Sequence, residues 1–427
     1  MSHLRKAVYL QKLMKQQWLK ESELKKIQSK MLRSIIRHSY ENVPFYHNKM
    51  KNAKITPYDI KCAEDLQKMP LTTKQELKET PLSERISINT NLKKCWTPHT
   101  GGSTGIPLTV AYSESDEDYQ KAVALRPNLS CGQKIFDRWI IISSPNRVNS
   151  EKKWFQKIGV FSPQFISLFD NLDNQLLYLK KFNPDIIDGF ASSIYLLSLK
   201  IRETDSTKIK PRIIYTTSEV LTKQMRETIE SVFNLKVYDQ FGCVELGRTA
   251  WECTEHMGYH IDSDAVVMEF LKNGLNVAPG EQGEITYTGL YNFTMPLIRY
   301  TIEDVGILSE EKCPCGRGLP LLKLIEGRKD EFLFTPDGKI HSPIIWQLLL
   351  KPISEIYQFR IIQEKMNRIV IQIVKSDNYS QETTNSIINQ VTSYFGDNIN
   401  FEIEFLQEIP REKSGKVRAV LSRINNS

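Results

Sequence analysis

Apolar residues recur at three- and four-residue spacing between Leu4 and about Met50: Leu10, Leu13, Met14 and Trp18, then Leu32, Ile35, Ile36 and Tyr40, all among lysines. That period predicts amphipathic helix, ended by Asn42-Val43-Pro44. A second short helix is expected after the cap signal Leu71-Thr72-Thr73, and the chain turns towards β near Lys94. Between about 135 and 290, short apolar runs at 138–143, 185–188, 212–215 and 235–238 alternate with helical stretches near 171–182, 192–203 and 222–233. The alternation predicts an α/β layered core with largely parallel strands. Residues 264–310 read as a small β subdomain, with strands at 266–271, 283–288 and 305–308 joined by Gly- and Pro-bearing turns. After Gly327-Arg328-Lys329-Asp330 the pattern restarts with strands at 358–362 and 368–374, a helix near 380–395 and a strand at 400–405. The expected divisions are a helical N-terminal extension (1–90), a large α/β domain carrying the β subdomain (91–328) and a small α+β C-terminal domain (329–427).

Composition narrows the class. The chain of 427 residues is 40% hydrophobic and 25% charged, which excludes disorder, collagen and a disulfide-stapled miniprotein. Its longest apolar runs, 139–142 and 344–350, fall far short of the roughly 20 residues that span a bilayer. Seven cysteines, an odd number, suit reduced thiols and a cytoplasmic location. The net charge of +7 raises nucleic acid as a partner, but residues 1–80 hold 17 Lys and Arg against 8 Asp and Glu, so the remainder is slightly acidic. The excess reads as a solvated helical face or a docking surface for an acidic partner, and no nucleic-acid partner is expected.

Four segments carry chemistry. His99 to Leu108 sets two adjacent glycines, two hydroxyls, a further glycine and a proline in a loop whose amides can approach an anion closely. It lacks a Walker A ending, and a plain turn would look similar. Tyr238 to Glu245 is an apolar strand ending in an aromatic-glycine turn and a carboxylate, able to stack on a base and hold Mg²⁺. Pro296 to Asp304 places an acid where it can accept hydrogen bonds from a ribose diol. Pro410 to Arg418 carries a Ser-Gly flanked by lysines, a flexible mount for an ammonium beside developing phosphate charge.

In this order the four segments resemble the adenylate-forming superfamily, and within it the phenylacetate-CoA ligase and CapK-type branch. Further marks are Asn42 to Tyr46, Asn183 to Ser192, Thr217-Ser218-Glu219, Pro296 to Tyr300, Cys313-Pro314-Cys315-Gly316-Arg317 and Gly327 to Asp330. The resemblance implies a large α/β domain with a small mobile C-terminal lid. It implies that Thr100, Gly101, Gly102, Ser103, Thr104 and Gly105 wrap the ATP phosphates. Ser218 and Glu219 would lie along the adenine, Phe241 would stack on it within the turn of Asp239 and Gly242, and Glu245 would coordinate Mg²⁺. Asp304 would bind the ribose with Arg328 nearby, Asp330 would be the hinge, and Lys416 would bridge carboxylate and α-phosphate. The acid's pocket would draw on residues 139–145, 190–195 and 213–219.

The implied activity is ATP-dependent activation of an aryl or short acyl carboxylate as acyl-AMP with pyrophosphate release, then transfer to CoA. Amine acceptors, as in amide formation for capsule or natural-product pathways, and a carrier-protein thiol are the alternatives, and a homodimer is left open. This chain departs from the superfamily pattern at Val244, where a hydroxyl is usual, at Phe241, where Tyr is usual, and at Thr301, Ile302 and Glu303, where an Arg and a Gly are missing. The departures motivate a competing reading, a nucleotide-binding homologue that has lost activity. A third reading is a zinc-bearing nucleic-acid binder.

Cys253 with His260, and Cys313 with Cys315, supply three sulfurs and a nitrogen suited to structural Zn²⁺. His256 competes with His260 for the nitrogen position, and buried free thiols are the alternative. Four protein ligands leave no open position for catalysis.

Overall fold

The computed structural model describes residues 2–98, 108–143, 152–204, 209–326, 332–341, 343–350, 352–409 and 419–424. They fall into two compact units, one built from the stretches before 134 and from 238 to 326, the other from 134–237 and the chain after 331. The architecture is α/β, with a large sheet and a smaller C-terminal α+β region.

In the second unit, strands Pro163–Ser167, Trp139–Ser143, Ile186–Phe190 and Ile213–Thr217 lie side by side in that order, all parallel. Helices Leu172–Phe182, Ala191–Glu203 and Lys223–Phe233 alternate with them. Asn183 and Asn234, both left-handed with φ of 49° and 52°, end the first and third helices, the turn that asparagine tolerates better than other residues with a Cβ. These elements match the periodicity closely. The edge strand at 163 was not foreseen, because Pro163-Gln164-Phe165-Ile166-Ser167 lacks a β-branched run.

The C-terminal region forms a four-stranded sheet. Ile356–Lys365 pairs antiparallel with Arg368–Lys375, which pairs parallel with Asn400–Phe405, while Val420–Ser422 runs parallel to the first. Helix Gln381–Phe395 packs on it through Ile387, Val391 and Phe395, and Phe395 stacks on Trp346 at 4.8 Å. One apolar core joins this region to the parallel strands, with Phe169 edge-on to Tyr394 at 5.4 Å.

In the first unit, eight strands form an antiparallel run: Val237–Cys243, Gly247–Glu252, Tyr259–Ile261, Leu321–Glu326, Tyr300–Leu308, Gln282–Gly289, Val266–Lys272 and Leu275–Asn276. The expected β subdomain is therefore larger than 264–310, and its third strand starts at Tyr300 rather than 305. Helix Glu21–Asn42 ends where the sequence pattern stops, but Pro44 opens the helix Pro44–Asn52, since a proline's missing N–H costs nothing in a first turn. Leu32, Ile35 and Tyr46 enter the core with Phe270, Ile285, Tyr287 and Leu297. Part of the N-terminal basic excess is used internally: Arg5 and Lys6 both pair with the fully buried Asp118 of helix Glu114–Ser130. Among the described residues no helix is long and apolar enough to cross a membrane.

Candidate functional site

The hairpin carrying Phe241, Gly242 and Glu245 closes so tightly that a Cβ on Gly242 would lie 2.2 Å from the Gly247 carbonyl oxygen and 2.7 Å from Arg248 Cα. Glycine is therefore required there by contact distance. Phe241 is half-buried and packs against the core, and Val244 points outward at 44% exposure. Glu245 is buried. Its Oε1 accepts a 2.8 Å hydrogen bond from the Tyr300 hydroxyl, Lys74 Nζ lies 3.5 Å from the same oxygen, and its backbone carbonyl accepts from the Tyr112 hydroxyl. Burial, then the Glu245 carboxylate, pushes the Tyr300 phenol far above its ordinary range, so it stays a donor.

Lys74 reaches this point because an isolated bridge pairs Thr72 with Tyr300. Thr72 N–H donates to Arg299 O at 2.8 Å and Thr301 N–H to Thr72 O at 3.0 Å. Thr73 then caps helix Lys74–Glu79, accepting from the Glu76 amide, as the cap signal predicts. Arg299 itself is buried on Glu269 Oε1 (3.1 Å) and the Met69 carbonyl (2.7 Å), which fixes the 67–72 segment against the strand.

Asp304 lies in strand Tyr300–Leu308 at a change of register: Thr286 faces Thr301 while Glu284 faces Val305, so the 302–304 stretch bulges from the ladder. Bulges re-aim side chains. Here the bulge forms without the glycine the resemblance calls for, and it leaves the half-buried Asp304 close enough to Tyr287 and Cys243 to act on both electrostatically. Burial, then the Glu245 and Asp304 carboxylates, pushes the Cys243 thiol well above its usual range, which keeps it a neutral neighbour rather than a nucleophile. Asp239 is buried on the same strand as Phe241, accepting from Tyr259 Oη at 2.8 Å, and its amide donates to Glu252.

The other unit presents Ser218 and Glu219 at the carboxyl ends of its parallel strands, where open α/β sheets bind ligands. Ser218 is left-handed with φ of 69°, a conformation costing a serine on the order of 1 kcal/mol and common at functional turns. Glu219 Oε2 accepts from the Ser192 amide (2.9 Å) and hydroxyl (2.6 Å) in the first turn of helix Ala191–Glu203, where N–H groups have no acceptor within the helix. Its carboxylate is thus used to fix that helix against the 217–219 turn. Thr100 to Gly105, Arg328, Asp330 and Lys416 lie outside the described residues.

Among the described residues, Cys253, His260, Cys313 and Cys315 bring one donor atom each to within 4.8 Å of one another. Cys253 Sγ lies 3.6 Å from Cys313 Sγ, and Cys315 Sγ 3.3 Å from His260 Nε2. A tetrahedral Zn²⁺ with sulfur and nitrogen ligands has edges of about 3.5–3.8 Å, so the set fits. Burial lowers the His260 pKa to about 4, keeping the ring neutral, and Nδ1 faces the Leu319 carbonyl at 3.4 Å, leaving Nε2 towards the sulfurs. His256 is not part of this group: it stacks on Tyr238 at 5.1 Å with Nδ1 3.6 Å from Glu252. The loop after Cys315 meets the N-terminal helices. Arg317 lies 4.4 Å from the Trp18 ring and donates to Gln17 Oε1 at 2.9 Å, and a Cβ on Gly318 would fall 1.9 Å from the Leu19 carbonyl oxygen.

A family model described as the CapK C-terminal domain matches residues 333–423. Protein CapK of Staphylococcus aureus is 23% identical over 420 residues, 94% of this chain and 90% of that protein. The phenylacetate-coenzyme A ligase of Escherichia coli K12 is 26% identical over 73% of this chain and 72% of its own. Residues 333–423 thus carry a CapK C-terminal domain, and over most of its length the chain is similar to CapK and to phenylacetate-CoA ligases. The fold agrees with that of 2-hydroxyisobutyryl-CoA ligase, solved with 2-HIB-AMP and CoA, at a TM-score of 0.68 and 18% identity over 95% of this chain and 91% of that one.

Sequence reasoning missed Tyr300 and Lys74 as partners of Glu245. Tyr300 stood within a quoted motif, but only the register of its strand turns its hydroxyl to Glu245. Lys74 sits 171 positions away in the chain and carries no spacing signal.

Proposed function

We propose that this protein activates an aryl or short acyl carboxylate with ATP and transfers the acyl group to CoA. The observation that supports this most is the buried Glu245, held by Tyr300 and Lys74 at a glycine-closed hairpin beside the Asp304 bulge, in a chain that CapK matches over 94% of its length. A free carboxylate is a poor acyl donor because its leaving group would be oxide. Its oxygen attacks the α-phosphorus of ATP instead, the bond to the β-phosphate oxygen breaks, and pyrophosphate leaves with the electron pair. The CoA thiolate then attacks the acyl carbon and AMP departs. No general base is needed for the first step, so positioning and charge stabilisation carry it.

Glu245 is the residue that would hold Mg²⁺, a hard cation that takes carboxylate oxygens, and the ion would offset polyphosphate charge there. Asp304 accepts from the ribose hydroxyls, and Phe241 offers its ring to the base. Thr100 to Gly105, Ser218, Glu219, Arg328, the hinge Asp330 and Lys416 keep the roles implied by the resemblance, with residues 329–427 as the mobile lid. Cys253, His260, Cys313 and Cys315 hold Zn²⁺ structurally. The protein works in the cytoplasm.

A second reading changes the last step alone, with an amine or a carrier-protein thiol as acceptor. Pyrophosphate release measured with a panel of acids, and product analysis with CoA, hydroxylamine and amines, separates these. Acid-dependent release with acyl-CoA formation supports CoA, release without acyl-CoA moves the acceptor to amines or a carrier, and no acid-dependent release ends the enzyme reading.

A further inference from the structure

Two short segments of the second unit meet at its surface. The Phe161 amide donates to the Ile135 carbonyl at 2.8 Å, and a Cβ on Gly159 would touch Phe136 Cδ1 at 3.8 Å. Around this junction four large apolar side chains stand in solvent: Ile135 (48% exposed), Phe136 (71%), Trp154 (66%) and Ile158 (64%). Trp154 and Ile158 are one helical turn apart, on and just after helix Trp154–Lys157, so both project from the same face. Scattered exposed apolar residues are ordinary, but four together beside one junction mark an interaction surface.

The charges on these two segments are mainly basic. Lys134, Lys152, Lys153 and Lys157 are all exposed. Across 134–138 and 152–161 the single acidic residue is Asp137, which is bound by Arg212 at 2.6 Å. None of these side chains takes part in the chemistry proposed above. A protein partner would need an acidic rim around an apolar centre. A bilayer containing anionic lipid supplies both at once, since indole and phenyl rings settle at the headgroup boundary while lysine stems lie along the acyl region with their ammonium groups in the anionic layer.

We propose that the patch formed by Ile135, Phe136, Trp154 and Ile158 with its lysine rim docks this protein on an anionic membrane surface, without insertion of a span. The test uses the full-length protein and vesicles of phosphatidylcholine alone or with about a third phosphatidylglycerol, read by co-sedimentation. Binding is expected only to the anionic vesicles and should weaken as salt is raised. Trp154→Ala with Phe136→Ala, and separately Lys152→Gln with Lys157→Gln, should each reduce binding about tenfold or more while thermal melting and pyrophosphate release stay at wild-type levels. Three results would overturn the proposal: no vesicle binding, equal binding to neutral vesicles, or binding that both variants retain. A lipid-free dimer that dissociates in the Trp154→Ala, Phe136→Ala variant would also overturn it and assign the face to a second copy.

Discussion

The Tyr300 hydroxyl donates to Glu245 Oε1 across 2.8 Å, joining the first residue of one strand to the hairpin tip of another. Both groups are buried, so Tyr300→Phe leaves the carboxylate short of a donor. A hydrogen bond of this kind contributes about 1.5–3 kcal/mol. The expected outcome is a corresponding loss in denaturant titrations and a fall of roughly tenfold or more in acid-dependent pyrophosphate release. Wild-type stability and rate in Tyr300→Phe would mean that the bond does not hold Glu245 in place.

Gly242→Ala tests the closure of the hairpin. The added methyl meets backbone on the opposite strand, which cannot rotate away as a side chain would. A loss of about 1–3 kcal/mol is expected from overpacking, together with weaker nucleotide affinity by isothermal titration. An unchanged melt would show that the two strands can separate at no cost.

The four-residue Cys/His group should carry one Zn²⁺ per chain in protein purified without chelator, measured by elemental analysis. Cys253→Ser or His260→Ala should abolish the metal and lower the melting temperature, because the loop after Cys315 ties the Gln17–Leu19 corner to the sheet. His256→Ala should retain the metal. Metal-free protein with a wild-type melt would assign the group to buried thiols.

His341 predicts a pH dependence. Burial holds its pKa at about 4, with the Asp337 charge opposing and that of Lys339 adding. An unfolded histidine titrates near 6.5, so between those values the unfolded chain binds the extra proton and stability rises with pH. The fold should therefore lose up to about 3 kcal/mol from this group as pH falls from 6.5 to 4, with no contribution above about 7. Urea titrations across that window should show a shallower slope in His341→Gln than in wild type. Equal slopes would remove His341 from the account.

The legibility of the sequence followed the length scale of each interaction. Local signals carried far: the Thr73 cap, the helix over 172–182 and the strand over 400–405 fall where periodicity put them. The metal group was readable because four uncommon donors occur in two pairs, yet the choice between His256 and His260 depended on which side of a turn each ring faces. Lys74 was invisible because a bridge at Thr72 brings it to Glu245 from the far end of the chain. Glu219 illustrates a third limit. Its motif position implies a place along the adenine, and no spacing reveals that its carboxylate also accepts from the first turn of helix Ala191–Glu203.

The central claim is acyl adenylation, and acid-dependent pyrophosphate release from Mg·ATP tests it most directly, comparing wild type with Glu245→Gln and Lys416→Ala. The account predicts that at least one aryl or short acyl carboxylate stimulates release in wild type and that each substitution lowers it by about 100-fold or more. Release that no acid stimulates, or that persists unchanged in both variants, would contradict it.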